Sequence, residues 1–211
     1  NLKVKDILEV TNGKLISGNM ENECENFSKD TRIINKGDIY IGIKGENFDG
    51  HNAIEDVIKN GARMVIVEEL PNEPEKLEAT IVQVSSTFRA QAILANQFYE
   101  EPSTKINVVA VTGTNGKTTT SNMISQLLES LNRRTGVIGT LHYKVGEKYY
   151  PAVNTTPNAL ELQKLFNEMV EDDCTDAVIE ASSHALALGR LSFTDIDCAI
   201  EYICSGESNA V

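Results

Sequence analysis

Val108-Val109-Ala110-Val111-Thr112-Gly113-Thr114-Asn115-Gly116-Lys117-Thr118-Thr119-Thr120 is the stretch on which the reading of this chain turns. The apolar run 108–111 has the character of a strand buried in a parallel sheet. A glycine-bearing turn follows, and residues 121–128 carry apolar side chains at helical spacing. Strand, loop, helix is the context that a phosphate-binding loop requires. Gly113 and Gly116 have no β-carbon, so backbone N–H groups there can turn inward toward an anion. A helix starting near Lys117 offers unpaired N–H groups and the positive end of its dipole. Lys117 adds a mobile cation for the β- and γ-phosphates, and the Thr118 hydroxyl suits a magnesium ion. The strict Gly-x-x-x-x-Gly-Lys-Ser/Thr pattern would put its first glycine at Val111; here the glycine is Gly113, in a shorter form of the loop. A plain glycine-rich turn with a surface lysine is the bland alternative. Strand, both glycines, lysine and threonine standing in order weigh against it.

The whole chain bounds what such a loop could serve. Its 211 residues allow one or two domains, with 41% apolar and 24% charged residues. A net charge of −12 argues against a nucleic-acid surface, which needs clustered Lys and Arg. Cys24, Cys174, Cys198 and Cys204 form no Cys-x-x-Cys pair, so a zinc ribbon is not expected and reduced cytoplasmic thiols are. The sequence holds no signal peptide and no apolar run long enough to span a bilayer. Asn1 stands where an initiator methionine would, which reads as a start processed or lost.

Residues 1–103 read as a first, mixed α/β unit. A short helix is predicted over 4–10, then a turn at Asn12-Gly13. Ile39, Ile41 and Ile43 alternate as in a strand, and a helix follows over 53–60, ended at Gly61. Residues 63–67 and 81–84 read as further strands, with Ser86 capping a helix to about Tyr99. Asp30-Thr31-Arg32 and Asp49-Gly50-His51 could be turn residues alone. Glu100-Glu101-Pro102-Ser103-Thr104 is the expected boundary.

Residues 104–211 read as a second unit built on a mostly parallel sheet. Asn132-Arg133-Arg134 and Gly136 are expected to end the loop's helix, the arginines suiting its negative end. A strand over 135–140 and a hairpin turning at Gly146 come next. Thr156 or Asn158 could cap a helix reaching Glu171, whose apolar face is Leu160, Leu162, Leu165, Phe166 and Met169. Residues 177–180 form a last clear strand, with Ser182, Ser183 and His184 just beyond. The phosphate loop, Asn154-Thr155-Thr156 and residues 180–184 all follow strands. They can converge where ligands bind in such sheets.

Three motifs in this order carry a resemblance: residues 112–119, then Asn154-Thr155-Thr156-Pro157, then Glu180-Ala181-Ser182-Ser183-His184-Ala185-Leu186 with Arg190. Together they resemble the Mur ligases, the last two pointing to the MurE type. The resemblance implies an ATP-dependent enzyme of peptidoglycan precursor synthesis. It would add diaminopimelate or lysine to UDP-N-acetylmuramoyl-L-alanyl-D-glutamate through an acyl phosphate. It implies that Gly113, Thr114, Asn115, Gly116, Lys117, Thr118 and Thr119 hold ATP. It makes Lys117 and Glu180 catalytic and gives Mg²⁺ to Thr118 and Glu180, for which the bland reading of Glu180 is a strand-end carboxylate in solvent. Asn154, Thr155, Thr156, Ser182 and Arg190 would hold the UDP-muramoyl-dipeptide, where simple capping is the plain reading of Ser182. His184 is equally well a structural histidine. In the first unit, Thr31, Glu46, Asn47 and Phe48 would contact the uridine nucleotide.

Two departures stand out. Leu188 occupies a position where the family often has glutamine. After residue 200 the likeness is expected to stop, with the rest of the ATP domain and the amino-acid-binding domain missing, as in a fragment or a broken reading frame. Such a chain would bind a uridine nucleotide but complete no ligation. A binding-only protein and a different ligase on the same ATP module, such as folylpolyglutamate synthase, are the alternatives. The first unit argues against the latter.

Overall fold

The computed structural model describes residues 2–24, 26–28 and 34–202. Contacts divide the chain into two units, Asn1–Leu94 and Ala95–Val211.

The first unit contains β1 (Leu2–Lys3), α1 (Val4–Thr11), β2 (Lys14–Ser17), β3 (Glu23–Cys24), β4 (Phe27–Ser28), β5 (Ile39–Ile41), α2 (Ile54–Lys59), β6 (Met64–Val67), β7 (Thr80–Gln83) and the greater part of α3 (Thr87–Phe98). Its main sheet has the order β2-β7-β6-β5-β4, with β2 antiparallel and the other four strands parallel. The alternation at 39–43 suggests a strand with one wet face. Instead β5 is buried on both, Tyr40 included. Ile39 and Ile41 pack with Val4, Ile7 and Leu94, while Tyr40 packs with Ile54 and Val57 on the other side. A parallel strand covered by helices on both faces cannot leave its even positions in water. The Tyr40 hydroxyl is accommodated by donating to the Gly50 carbonyl at 3.0 Å. Residues 50–53 form a 3₁₀ turn, so α2 begins at Ile54 rather than Ala53. The turns at Asn12 (φ 54°) and Gly61 (φ 113°) close α1 and α2 as expected.

The second unit runs β8 (Asn107–Gly113), α4 (Lys117–Ser130), β9 (Thr135–Ile138), β10 (His142–Val145), β11 (Lys148–Pro151), α5 (Ala159–Glu171), β12 (Asp176–Glu180), α6 (Ser183–Ala187) and β13 (Cys198–Tyr202). The sheet order is β11-β10-β9-β12-β8-β13. β9, β12, β8 and β13 are parallel, and the β10–β11 hairpin is antiparallel. The buried side chains Leu162, Leu165, Phe166 and Met169 of α5 form one core with Val108, Ala110, Ile138, Ala177 and Ile179. On α4 the buried residues are Ser121 and Ser125. Small side chains let that helix approach closely, and the Ser125 and Thr135 hydroxyls meet at 2.7 Å.

Two local expectations change, and the choice between two caps is decided. Arg133 and Arg134 do not complement the end of α4; they pair with Asp176 at 2.7 Å and Asp172 at 2.6 Å. An ion pair offers a guanidinium two directed bonds, more than a frayed helix end provides. Of the two candidate caps for α5 it is Asn158 that accepts from Glu161 N–H at 3.0 Å, because the Thr156 hydroxyl is engaged elsewhere. β9 stops at Ile138, where the chain turns across Glu180. β13 runs to Tyr202, in register with Gly113. Residues 203–211 lie outside the described residues.

Candidate phosphate and carboxylate site

Parallel register brings three chain segments to one sheet edge. Glu180 stands opposite Val111 at the end of β12, and Ile138 stands opposite Ile179. The loops after β8, β9 and β12 therefore leave the sheet together.

The glycine loop has the backbone the sequence implies. Gly113 (φ 138°) and Gly116 (φ 83°) both occupy conformations that L side chains rarely adopt. Gly116 is the N-cap of α4 and makes no side-chain capping bond, so the first-turn N–H groups face outward uncapped. Thr114, Asn115 and Thr119 are exposed. Lys117 folds back over the loop, its ammonium donating to the Gly113 carbonyl at 2.6 Å. The lysine thus sits at the mouth of the cradle and does not point away into solvent.

Glu180 is the centre of the arrangement and is only 1% exposed. The Thr118 hydroxyl donates to its Oε1 at 2.8 Å, and the Thr140 N–H donates to its Oε2 at 2.9 Å. A buried carboxylate needs such donors, and these replace the solvent of the bland reading. The Thr156 hydroxyl, itself buried, donates to the Glu180 carbonyl at 2.6 Å and accepts from Ser182 N–H at 3.1 Å. Arg190 donates to the Thr156 carbonyl at 2.9 Å. The Tyr143 hydroxyl donates to the Asn154 carbonyl at 2.6 Å, and the Thr140 and Thr155 hydroxyls meet at 3.0 Å. The Ser182 hydroxyl caps α6, accepting from Ala185 N–H at 3.1 Å, and His184 is exposed. Lys117, Thr118, Asn154, Thr155, Thr156, Glu180, Ser182 and Arg190 are thus gathered into one region. Gly139, Thr140 and Tyr143 belong to it too and escape the sequence reading. Their signal was present: an apolar strand ending in Gly-Thr directly after the loop's helix.

In the first unit, Glu46, Asn47 and Phe48 form an exposed loop closed by Gly45 N–H donating to the Phe48 carbonyl at 2.8 Å. Thr31 lies outside the described residues. Asp49 and His51 have a structural role: the His51 ring and its N–H both bond Asp49, while Nε2 accepts from Glu68 N–H at 3.0 Å. Those bonds, the backbone N–H foremost, hold the Asp49 carboxyl below its usual range.

A mainly parallel α/β unit with a glycine loop, a lysine folded over it and a buried carboxylate beside its helix defines a phosphate-loop protein. Comparison with known proteins narrows the class. Residues 26–99 match the family described as "Mur ligase family, catalytic domain", and residues 111–201 match "Mur ligase middle domain". The chain belongs to the Mur ligase family. It is 39% identical over 202 residues to a UDP-N-acetylmuramoyl-L-alanyl-D-glutamate–2,6-diaminopimelate ligase of Oceanobacillus iheyensis, covering 94% of this chain and 40% of that one. A protein of the same description from Geobacillus kaustophilus is 41% identical over 171 residues, covering 81% and 34%. A solved structure of such a ligase superimposes with a TM-score of 0.76 at 26% identity, covering 100% of this chain and 42% of that one. The chain therefore spans about two-fifths of the length of the curated relatives it matches.

Proposed function

We propose that the protein to which this chain corresponds is an ATP-dependent ligase of cytoplasmic peptidoglycan precursor synthesis. It joins an amino acid to UDP-N-acetylmuramoyl-L-alanyl-D-glutamate. Diaminopimelate is favoured over lysine because the relatives at 39% and 41% identity are described as diaminopimelate ligases. The observation that carries the reading is the Thr118–Glu180 contact beneath the glycine loop, with Thr155 and Thr156 linked to the same carboxylate residue.

The chemistry follows from what each group can do. A carboxylate is a poor electrophile, so the acid oxygen attacks the γ-phosphorus of ATP and ADP departs. An amine then attacks the acyl phosphate, loses its proton, and inorganic phosphate leaves. The outward N–H groups of α4 and the Lys117 ammonium offset phosphate charge. Thr118 and Glu180 present hard oxygen donors 2.8 Å apart, the donor type magnesium takes, and together they would hold the ion. Among the described residues no group of three or more His, Cys, Asp or Glu gathers. When bound, the ion neutralises charge developing on the phosphates. The Asn154–Thr156 backbone, pinned by Tyr143, and Arg190 orient the acid. The first unit, through Thr31 and residues 46–48, takes the uridine nucleotide. Among the described residues no helix is long and apolar enough to cross a membrane.

Calorimetric titration with magnesium and a non-hydrolysable ATP analogue tests the nucleotide half of this reading. Lys117→Ala is expected to weaken binding about tenfold to a hundredfold, the value of a charge-assisted hydrogen bond. Unchanged affinity would remove the loop from the mechanism. For the full-length protein, phosphate release that depends on diaminopimelate tests the remainder.

A further inference from the structure

We infer that Thr140 is a positioning residue for the Glu180 carboxylate and that, with Thr155, it ties that carboxylate to the acid-binding loop; this rests on the nucleotide reading above. Because Ile138 lies opposite Ile179, the two residues after β9 cross the face of Glu180. A Cβ placed on Gly139 would stand 1.8 Å from Glu180 Oε2, so no side chain fits between the turn and the carboxylate. The Thr140 N–H then reaches that same oxygen at 2.9 Å.

The hydroxyl does something the N–H cannot. It lies 3.4 Å from Glu180 Oε1 and 3.0 Å from the Thr155 hydroxyl. A hydroxyl has one proton and two lone pairs. Donating to Glu180, it is free to accept from Thr155, giving a chain from Thr155 through Thr140 to Glu180 in which each bond polarises the next. Were Thr118 to turn its oxygen toward a bound cation, its proton would leave Oε1, and Thr140 would be the hydroxyl donor remaining there. The neighbouring Thr156 holds the Glu180 carbonyl, so one loop reaches this residue at both its ends.

The test titrates the 211-residue chain with a non-hydrolysable ATP analogue, once with magnesium and once with EDTA. Thr140→Val keeps the N–H and removes the hydroxyl. It is expected to weaken binding about tenfold with magnesium and to leave binding in EDTA unchanged. Thr140→Ser is expected to restore affinity to within about twofold. Thr155→Val is expected to cost about threefold with magnesium only, and the double variant to lose no more than Thr140→Val alone. Should Thr140→Val unfold, as read by its melting curve, Thr155→Val decides the matter, since its hydroxyl pair is exposed. Wild-type affinity in these variants with magnesium, or an equal loss in EDTA, overturns the inference and leaves the nucleotide reading standing. A wild-type chain without magnesium-dependent binding overturns both.

Discussion

Thr118 donates a 2.8 Å hydrogen bond to Glu180 across a separation of 62 residues in sequence. The first turn of the helix after the glycine loop is thereby joined to the end of β12. Each residue presents an oxygen to the same small volume, and the carboxylate is shielded from water. Thr118→Val removes one oxygen and leaves the buried Oε1 with only the longer Thr140 contact at 3.4 Å. We expect magnesium-dependent nucleotide affinity to fall at least about tenfold, with Thr118→Ser close to wild type. Calorimetry in parallel on the two variants checks this.

Two glycines in the second unit separate site geometry from packing. At Gly139 an added methyl meets the Glu180 carboxylate at 1.8 Å; at Gly136 it meets the Met169 sulfur at 2.3 Å. Methionine is long and can yield, whereas Glu180 is held by Thr118 and Thr140. Gly139→Ala should therefore abolish magnesium-dependent nucleotide binding. Gly136→Ala should retain it while lowering stability by about 1–3 kcal/mol through overpacking. Comparable binding by the two variants in calorimetry would contradict this division.

Thr156 connects two chain segments through a buried hydroxyl. Thr156→Val leaves the Ser182 N–H and the Glu180 carbonyl without that partner. Denaturant unfolding should show a loss of about 1–3 kcal/mol, and Thr156→Ser should recover most of it. A neutral valine variant would show that the two segments do not need the hydroxyl.

Acid should loosen the far end of the same strand. Burial pushes the Asp176 carboxyl up, but donors from Arg133, Thr175 and Asn107 outweigh it and hold the carboxyl below its ordinary range. A depressed carboxyl contributes stability that is complete above its unfolded value, about 4, and is lost as pH falls through the folded one. The melting temperature of wild type should drop from about pH 4 downward, and the gap to Asp176→Asn should narrow there. A gap that is constant from pH 7 to pH 3 would refute the linkage.

Thiol accessibility reports on the core of each unit. Burial pushes the Cys24 thiol up to about 11, against a smaller lowering by Arg63, and burial also raises Cys174. Cys198 is exposed. Iodoacetamide at pH 7.5 should label Cys198 within minutes and leave Cys24 and Cys174 unmodified until denaturant is added, as peptide mapping would show.

Much of this was legible in the sequence. The 108–120 stretch gave strand, loop and helix because apolar runs, glycines at positive φ and helical spacing are local rules that the fold obeys. The three motifs gathered in the second unit could be read from their position after successive strands, since a parallel sheet sends all those ends one way. The rest depended on neighbours. Tyr40 is buried because helices cover both faces of its sheet, and alternation along one strand carries no trace of the second layer. Arg133 and Arg134 look like helix-end cations until folding brings up Asp176 and Asp172, some forty residues away. Gly139 and Thr140 read as the end of a strand until register sets them against Glu180. Sequence determined which elements form and which groups can bind phosphate, because those depend on backbone preference and residue chemistry. Tertiary structure alone decided which polar groups satisfy one another, because a buried donor takes whatever acceptor the packing delivers.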